Sequence, residues 1–226
     1  MYLDLRAVAG MMFSVVVVSA QSLPSGRDGG LRPYPANGRV IVHAHPRDEV
    51  ANLETLVAMS KLIVEGTVVS TERVIDTSLN SDVPEVETHS AFVVNKVLSG
   101  RLPGGKTTIL LAQQGGKVGK WDVIPEDDPL VKSGERYILF LAPDERKHPS
   151  NPSGTPRLYT VGAYAGRVTL ESGKILFLPA ADSRLRRLNG TEEAAFIKII
   201  DDEVHHRVMP PSRGNQIPHP GLPAKP

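Results

Sequence analysis

Leu62-Ile63-Val64-Glu65-Gly66-Thr67-Val68-Val69-Ser70 decides how this chain folds. β-Branched residues dominate it. Leu62, Val64 and Val68 fall on one side of an extended chain, and Ile63, Glu65 and Thr67 on the other. Gly66 sits in the middle. A glycine inside such a run marks a bulge or a tight bend, which a small barrel needs in order to close.

Downstream, four more stretches read as β. Glu87–Leu98 is a second strand whose apolar phase slips near Asn95, which suits a bulge. Lys106–Gln113 is a third. Arg136–Ala142 is a fourth, and Tyr137-Ile138-Leu139-Phe140-Leu141 at its centre is apolar on both faces, as in a strand buried on both sides. Leu158–Leu178 supplies the last β material. Within it, Arg167–Glu171 and Lys174–Leu178 flank Ser172-Gly173, a two-residue hairpin signal. Polar or glycine- and proline-rich loops separate these runs at 74–85, 114–132 and 143–157.

The β region is framed by helices. Asp48 opens a helical pattern in which Val50, Leu53, Leu56 and Val57 recur. Asn189 or Thr191 caps a final helix that runs to about Val204, with Ala195, Phe196, Ile199 and Ile200 as its apolar stripe. Residues 21–46 read as a linker with one short strand, Arg39–His43, and residues 206–226 as a proline-rich disordered tail. Residues 47–205 are then the folded domain.

The amino terminus reads as an export signal. Ala7–Val18 is apolar and too short to span a bilayer comfortably, but it matches a signal-peptide core. Val18-Ser19-Ala20 offers the small residues a signal peptidase reads, with cleavage between Ala20 and Gln21. The expected location is secreted or periplasmic, and the mature chain is expected to have no membrane span.

Composition narrows the chemistry. The absence of cysteine excludes disulfides, cysteine–zinc sites and thiol catalysis. The net charge of +1 gives no overall field for a polyanion, and 5% aromatic residues are too few for a base-stacking platform, so no nucleic-acid partner is expected.

The sharpest local motif is Gly100-Arg101-Leu102-Pro103-Gly104-Gly105-Lys106-Thr107, which fits GxxxxGK[ST] throughout. A phosphate-binding loop of this kind needs a helix to start just after it, so that backbone N–H groups face the phosphates. Thr107–Ala112 is β-prone instead, and a turn between antiparallel strands explains the same residues. In the nucleotide reading, Gly100, Gly105, Lys106 and Thr107 would be the binding residues.

Other motifs read as structural. His43 and His45, and His205 and His206, lack the spacing of a metal site and read as surface histidines. Glu126, Asp127 and Asp128 lack calcium-loop spacing and read as a solvated acidic turn. There is no GxSxG. No catalytic residue, metal ligand or cofactor is assigned.

The order LIVEGTVVS, HSAFVVNKVLSG, TTILLAQQGG, VKSGERYILFLAP and YTVGAYAGRVTL resembles a group of poorly characterised exported bacterial proteins. Their OB-type barrel is similar to that of the tissue inhibitors of metalloproteinases and the netrin-type module. The resemblance covers about residues 47–178 and rests on Leu98-Ser99-Gly100, Gly115-Gly116 and Gly134-Glu135-Arg136-Tyr137. It implies a mainly β fold, a five-stranded OB-like Greek-key barrel with an N-terminal and a C-terminal flanking helix. It implies no catalytic residues. Protease inhibition through an N-terminal cysteine does not transfer to a chain without cysteine. The resulting expectation is a non-catalytic binding or interaction module for an unknown protein or small ligand. The alternatives are a nucleotide-binding enzyme using 100–107 and a hydrolase without a local motif. The barrel mouth and the loops at 74–85 and 114–132 are the expected contact surfaces.

Overall fold

A computed structural model describes residues 38–42, 50–76, 86–119, 121–143 and 157–207. The export segment, the Ala20–Gln21 junction, most of the linker, His43, His45 and most of the tail lie outside these residues.

Five strands close into a mixed barrel: β2 (Leu62–Asp76), β3 (Val86–Gly100), β4 (Thr108–Gln114), β7 (Arg136–Pro143) and β8 (Arg157–Thr160). Around the ring β2 pairs with β3, β3 with β4, β4 with β8, β8 with β7 and β7 with β2. Only the β4–β8 pair is parallel. In chain order this is first, second, third, fifth, fourth, as in an OB-like barrel. The first four runs read from the sequence are β2, β3, β4 and β7, and the fifth supplies β8 at its start. β9 (Arg167–Glu171) and β10 (Lys174–Phe177) extend the sheet outward from β7 as a hairpin. Ser172 and Gly173 both have positive φ, 51° and 76°, which a two-residue turn of matching twist requires.

Closure depends on local irregularities. The β2–β3 ladder slips four times, and one slip leaves Asn95 without a partner, at the break in the apolar phase. At Gly66 a Cβ would lie 2.1 Å from the Val93 carbonyl oxygen and 2.7 Å from the Phe92 ring. Only a residue without a side chain lets β3 approach β2 this closely.

Two apolar layers stabilise the fold. Inside the barrel, Leu62, Val64, Val68, Phe92, Ile109, Leu111, Tyr137, Leu139, Leu141 and Leu158 pack together. Outside it, Ile63, Ile138 and Phe140 pack against β9 and β10 and against α1 (Leu53–Met59), α2 (Ser183–Arg186) and α3 (Glu193–Arg207). β7 serves both layers, which is why its centre is apolar throughout. Phe177 and Phe196 meet edge to face at 5.9 Å, joining β10 to α3. Arg136 ties the barrel to the start of α3, with Glu65 at 2.7 Å and Glu193 at 2.8 Å.

Four expectations are corrected. The first helix begins at Leu53, because Asn52 Oδ1 accepts from the Thr55 N–H at 2.8 Å and caps it there. Val50 precedes that helix and is buried all the same. The segment 114–132 is not simply a loop: β5 (Gly116–Val118) and β6 (Trp121–Pro125) form a hairpin, and β6 pairs in parallel with β1 (Gly38–Val42) as a second sheet. Asn189 serves β10, accepting from the Phe177 N–H at 2.7 Å, and α3 begins at Glu193. Gly162 and Ala163, both at positive φ, interrupt the β material between β8 and β9 with a 3-10 turn.

Candidate functional site

Side-chain alternation sorts the polar residues of the barrel into two buried groups. Within the barrel, β3 turns Thr88 and Ser90 inward, β4 turns Gln113 inward, and β9 begins with Arg167 opposite the inward Leu139. Arg167 is only 2% exposed and is the largest fully buried side chain described. Its Nη2 stands 2.9 Å from Asp128 Oδ1, and its Cζ lies 6.0 Å from the centre of the Tyr137 ring. Asp128 therefore belongs to a plug in the barrel, and the solvated acidic turn expected there is corrected. Val131 follows it in, with its N–H donating to Gln113 Oε1 at 2.9 Å.

This interior is under electrostatic tension. Burial pushes the Asp128 carboxyl above its ordinary value of 3.8, while Arg167 and Gln113 pull it back down. Burial also pushes the Tyr137 hydroxyl up, aided by its hydrogen bond to Glu135. Ser90 Oγ, Gln113 Nε2, Asp128 Oδ1 and Arg167 Nη1 have no hydrogen bond of good geometry, so the Asp128–Arg167 contact is a close but misaligned ion pair.

The second group lies on the outer face of β3. Glu87 and His89 are two residues apart and so share that face. Arg157 of β8 pairs with Leu110 of β4 and extends past the small Ala112 to β3. Its Nη1 meets Glu87 Oε2 at 2.6 Å, and His89 Nε2 meets the same oxygen at 3.1 Å. The His89 side chain is 0% exposed. A carboxylate beside an imidazole can serve acid–base chemistry. Here the guanidinium shares that carboxylate and the ring is enclosed, so the trio acts as an internal brace. Sequence reasoning missed it. The one local signal was Glu87-x-His89 in a strand, and Arg157 joins only through the barrel.

One surface cavity of about 190 Å³ lies where the approach to α1 meets the turn after β8. It is lined by Val50, Ala51, Gly162, Tyr164, Ala165, Ala180 and Asp182. Gly162 has φ +61, and a Cβ there would meet Val50 at 2.6 Å. Asp182 is held below the usual carboxylate range by its hydrogen bonds to Arg184. The wall is thus small side chains and backbone, together with a phenol and an ionised carboxylate.

The remaining sequence candidates lie apart. Gly100–Thr107 is the connection from β3 to antiparallel β4, with a 3-10 turn at Pro103–Gly105. Lys106 and Thr107 are exposed, and a strand follows them. His205 and His206 are exposed near the end of α3, each Nδ1 donating at 2.7 Å to the carbonyl four residues back. Among the described residues no group of three or more His, Asp or Glu could hold a metal ion, and no helix is long and apolar enough to cross a membrane. No protein-family model matches the chain, and no curated protein matches it.

Proposed function

We propose that the chain is an exported, non-catalytic binding module built on an OB-like barrel. One observation carries the reading. The side chains best suited to acid–base work, Glu87, His89 and Asp128, are buried against Arg157 and Arg167 and brace the barrel. The cavity at Gly162, by contrast, opens to solvent and is lined by backbone and small side chains, with Tyr164 and Asp182 as its polar side chains. That lining suits recognition of a small ligand that brings a hydrogen-bond donor to the Asp182 carboxylate. Export is supported by the Ala7–Val18 run and the Val18-Ser19-Ala20 junction.

Three measurements test this reading. N-terminal sequencing of protein from the native host is expected to start at Gln21; a cytosolic chain still beginning at Met1 would refute export. A fragment screen by two-dimensional NMR is expected to shift Gly162, Tyr164, Ala165 and Asp182 together, and Ala165→Leu to abolish those shifts by filling the cavity. Ester turnover by the wild-type protein that disappears in His89→Gln would replace this reading with the hydrolase.

A further inference from the structure

The segment that mimics a phosphate-binding loop lies at one end of the barrel among other cations. Leu62 pairs with Gly100 and Glu65 with Lys96, and the Val94 N–H donates to the Thr107 carbonyl at 2.8 Å. These pairings gather Lys61, Lys96, Arg101 and Lys106 at the same end of the β2–β3–β4 sheet. All four are exposed, and among the described residues none of them forms an ion pair. The carboxylate across from Lys96, Glu65, is engaged by Arg136 at 2.7 Å. Since the chain's net charge is only +1, this concentration is local. Val97, next to Lys96 in the chain but on the opposite face of β3, is 39% exposed, one of three large apolar residues described as exposed. At the tip, Gly104 and Gly105 have φ +61 and +67, and apart from their chain neighbours nothing described lies within 4 Å of where their side chains would begin.

We propose that this end of the barrel docks on an anionic lipid bilayer. Unpaired cations recruit phosphate headgroups, each worth about fivefold in partitioning. A headgroup layer also accommodates the apolar Val97 and the bare glycine tip, whereas a soluble polyanion would engage the charges alone. The inference does not depend on the cavity or on export.

Sedimentation of the full chain with vesicles, at low ionic strength, tests it. Binding to vesicles of equal parts phosphatidylglycerol and phosphatidylcholine is expected to exceed binding to phosphatidylcholine alone. The comparison cancels any contribution from the apolar N-terminal run. The excess should fall as salt is raised toward 0.1 M, where the screening length is about 10 Å. Lys96→Gln with Lys106→Gln should cost about twenty-fivefold. Lys117→Gln with Lys132→Gln removes equal charge elsewhere and should leave binding intact. Both pairs are exposed, so an unchanged melting temperature verifies folding. Val97→Ser should weaken binding further. Equal affinity for the two vesicle types, or no loss in the first pair of substitutions, would overturn the proposal. So would full competition by heparin with no effect of Val97→Ser, which would point to a soluble polyanion.

Discussion

Glu87 is shared by two cationic or potentially cationic groups, and Arg157 has no route back to water, its side chain being 3% exposed. Neutralising the carboxylate takes from this buried guanidinium its ion-pair contact at 2.6 Å. Glu87→Gln is therefore expected to cost about 3–5 kcal/mol in denaturant melts, and adding Arg157→Met should recover much of it. A loss below about 1 kcal/mol would show that the brace is not needed. Asp128 behaves in the opposite sense from most carboxylates. Its folded pKa is raised, chiefly by burial, so the folded state binds its proton more tightly than the unfolded state. The stability from this group is fully present below the unfolded value of 3.8 and is lost as pH rises through the folded pKa. Wild type should thus lose ground to Asp128→Asn as pH rises across that window. If it gained ground instead, the attraction of Arg167 would outweigh burial.

At the scale of elements, β7 is the strand both apolar layers share. Leu139 faces the barrel and Phe140 the helices, and both are fully buried. Leu139→Ala and Phe140→Ala are each expected to lose about 2–5 kcal/mol, measured by chemical denaturation. Losses below about 0.5 kcal/mol would contradict the two-layer core. This strand was legible in the sequence because five adjacent apolar residues between the turn residues Gly134 and Pro143 suit a short strand buried on both sides. The β2–β3 pair was legible through alternation and through Gly66. The β5–β6 hairpin was not. Its strands are three and five residues long, lie among glycines and prolines, and acquire a partner only from distant β1. Short strands paired with remote ones leave no periodic signal.

For the whole molecule, the direction of the chain after Thr107 separates a nucleotide enzyme from a binding module. β4 runs back along β3 in antiparallel pairing, so no helix start faces the Gly100–Thr107 turn. ATP with magnesium is expected to give no thermal shift, and Lys106→Ala to leave stability nearly unchanged. A bound nucleotide at a hundredfold excess over Kd would stabilise by about 2.7 kcal/mol, so a shift that vanishes in Lys106→Ala would restore the enzyme reading. By itself, the order of alternating runs, bends and turn residues determined five barrel strands and the β9–β10 hairpin, because strand formation and tight turns depend on neighbours along the chain. Only the tertiary structure decided which polar residues are buried. It moved Asp128 from an expected solvated turn to Arg167 inside the barrel, joined Arg157 to Glu87 and His89 across β4, and brought Lys61 to the same end as Lys96 and Lys106. Each pairing links residues far apart in sequence. Their proximity follows from ring closure and register, which no local pattern records.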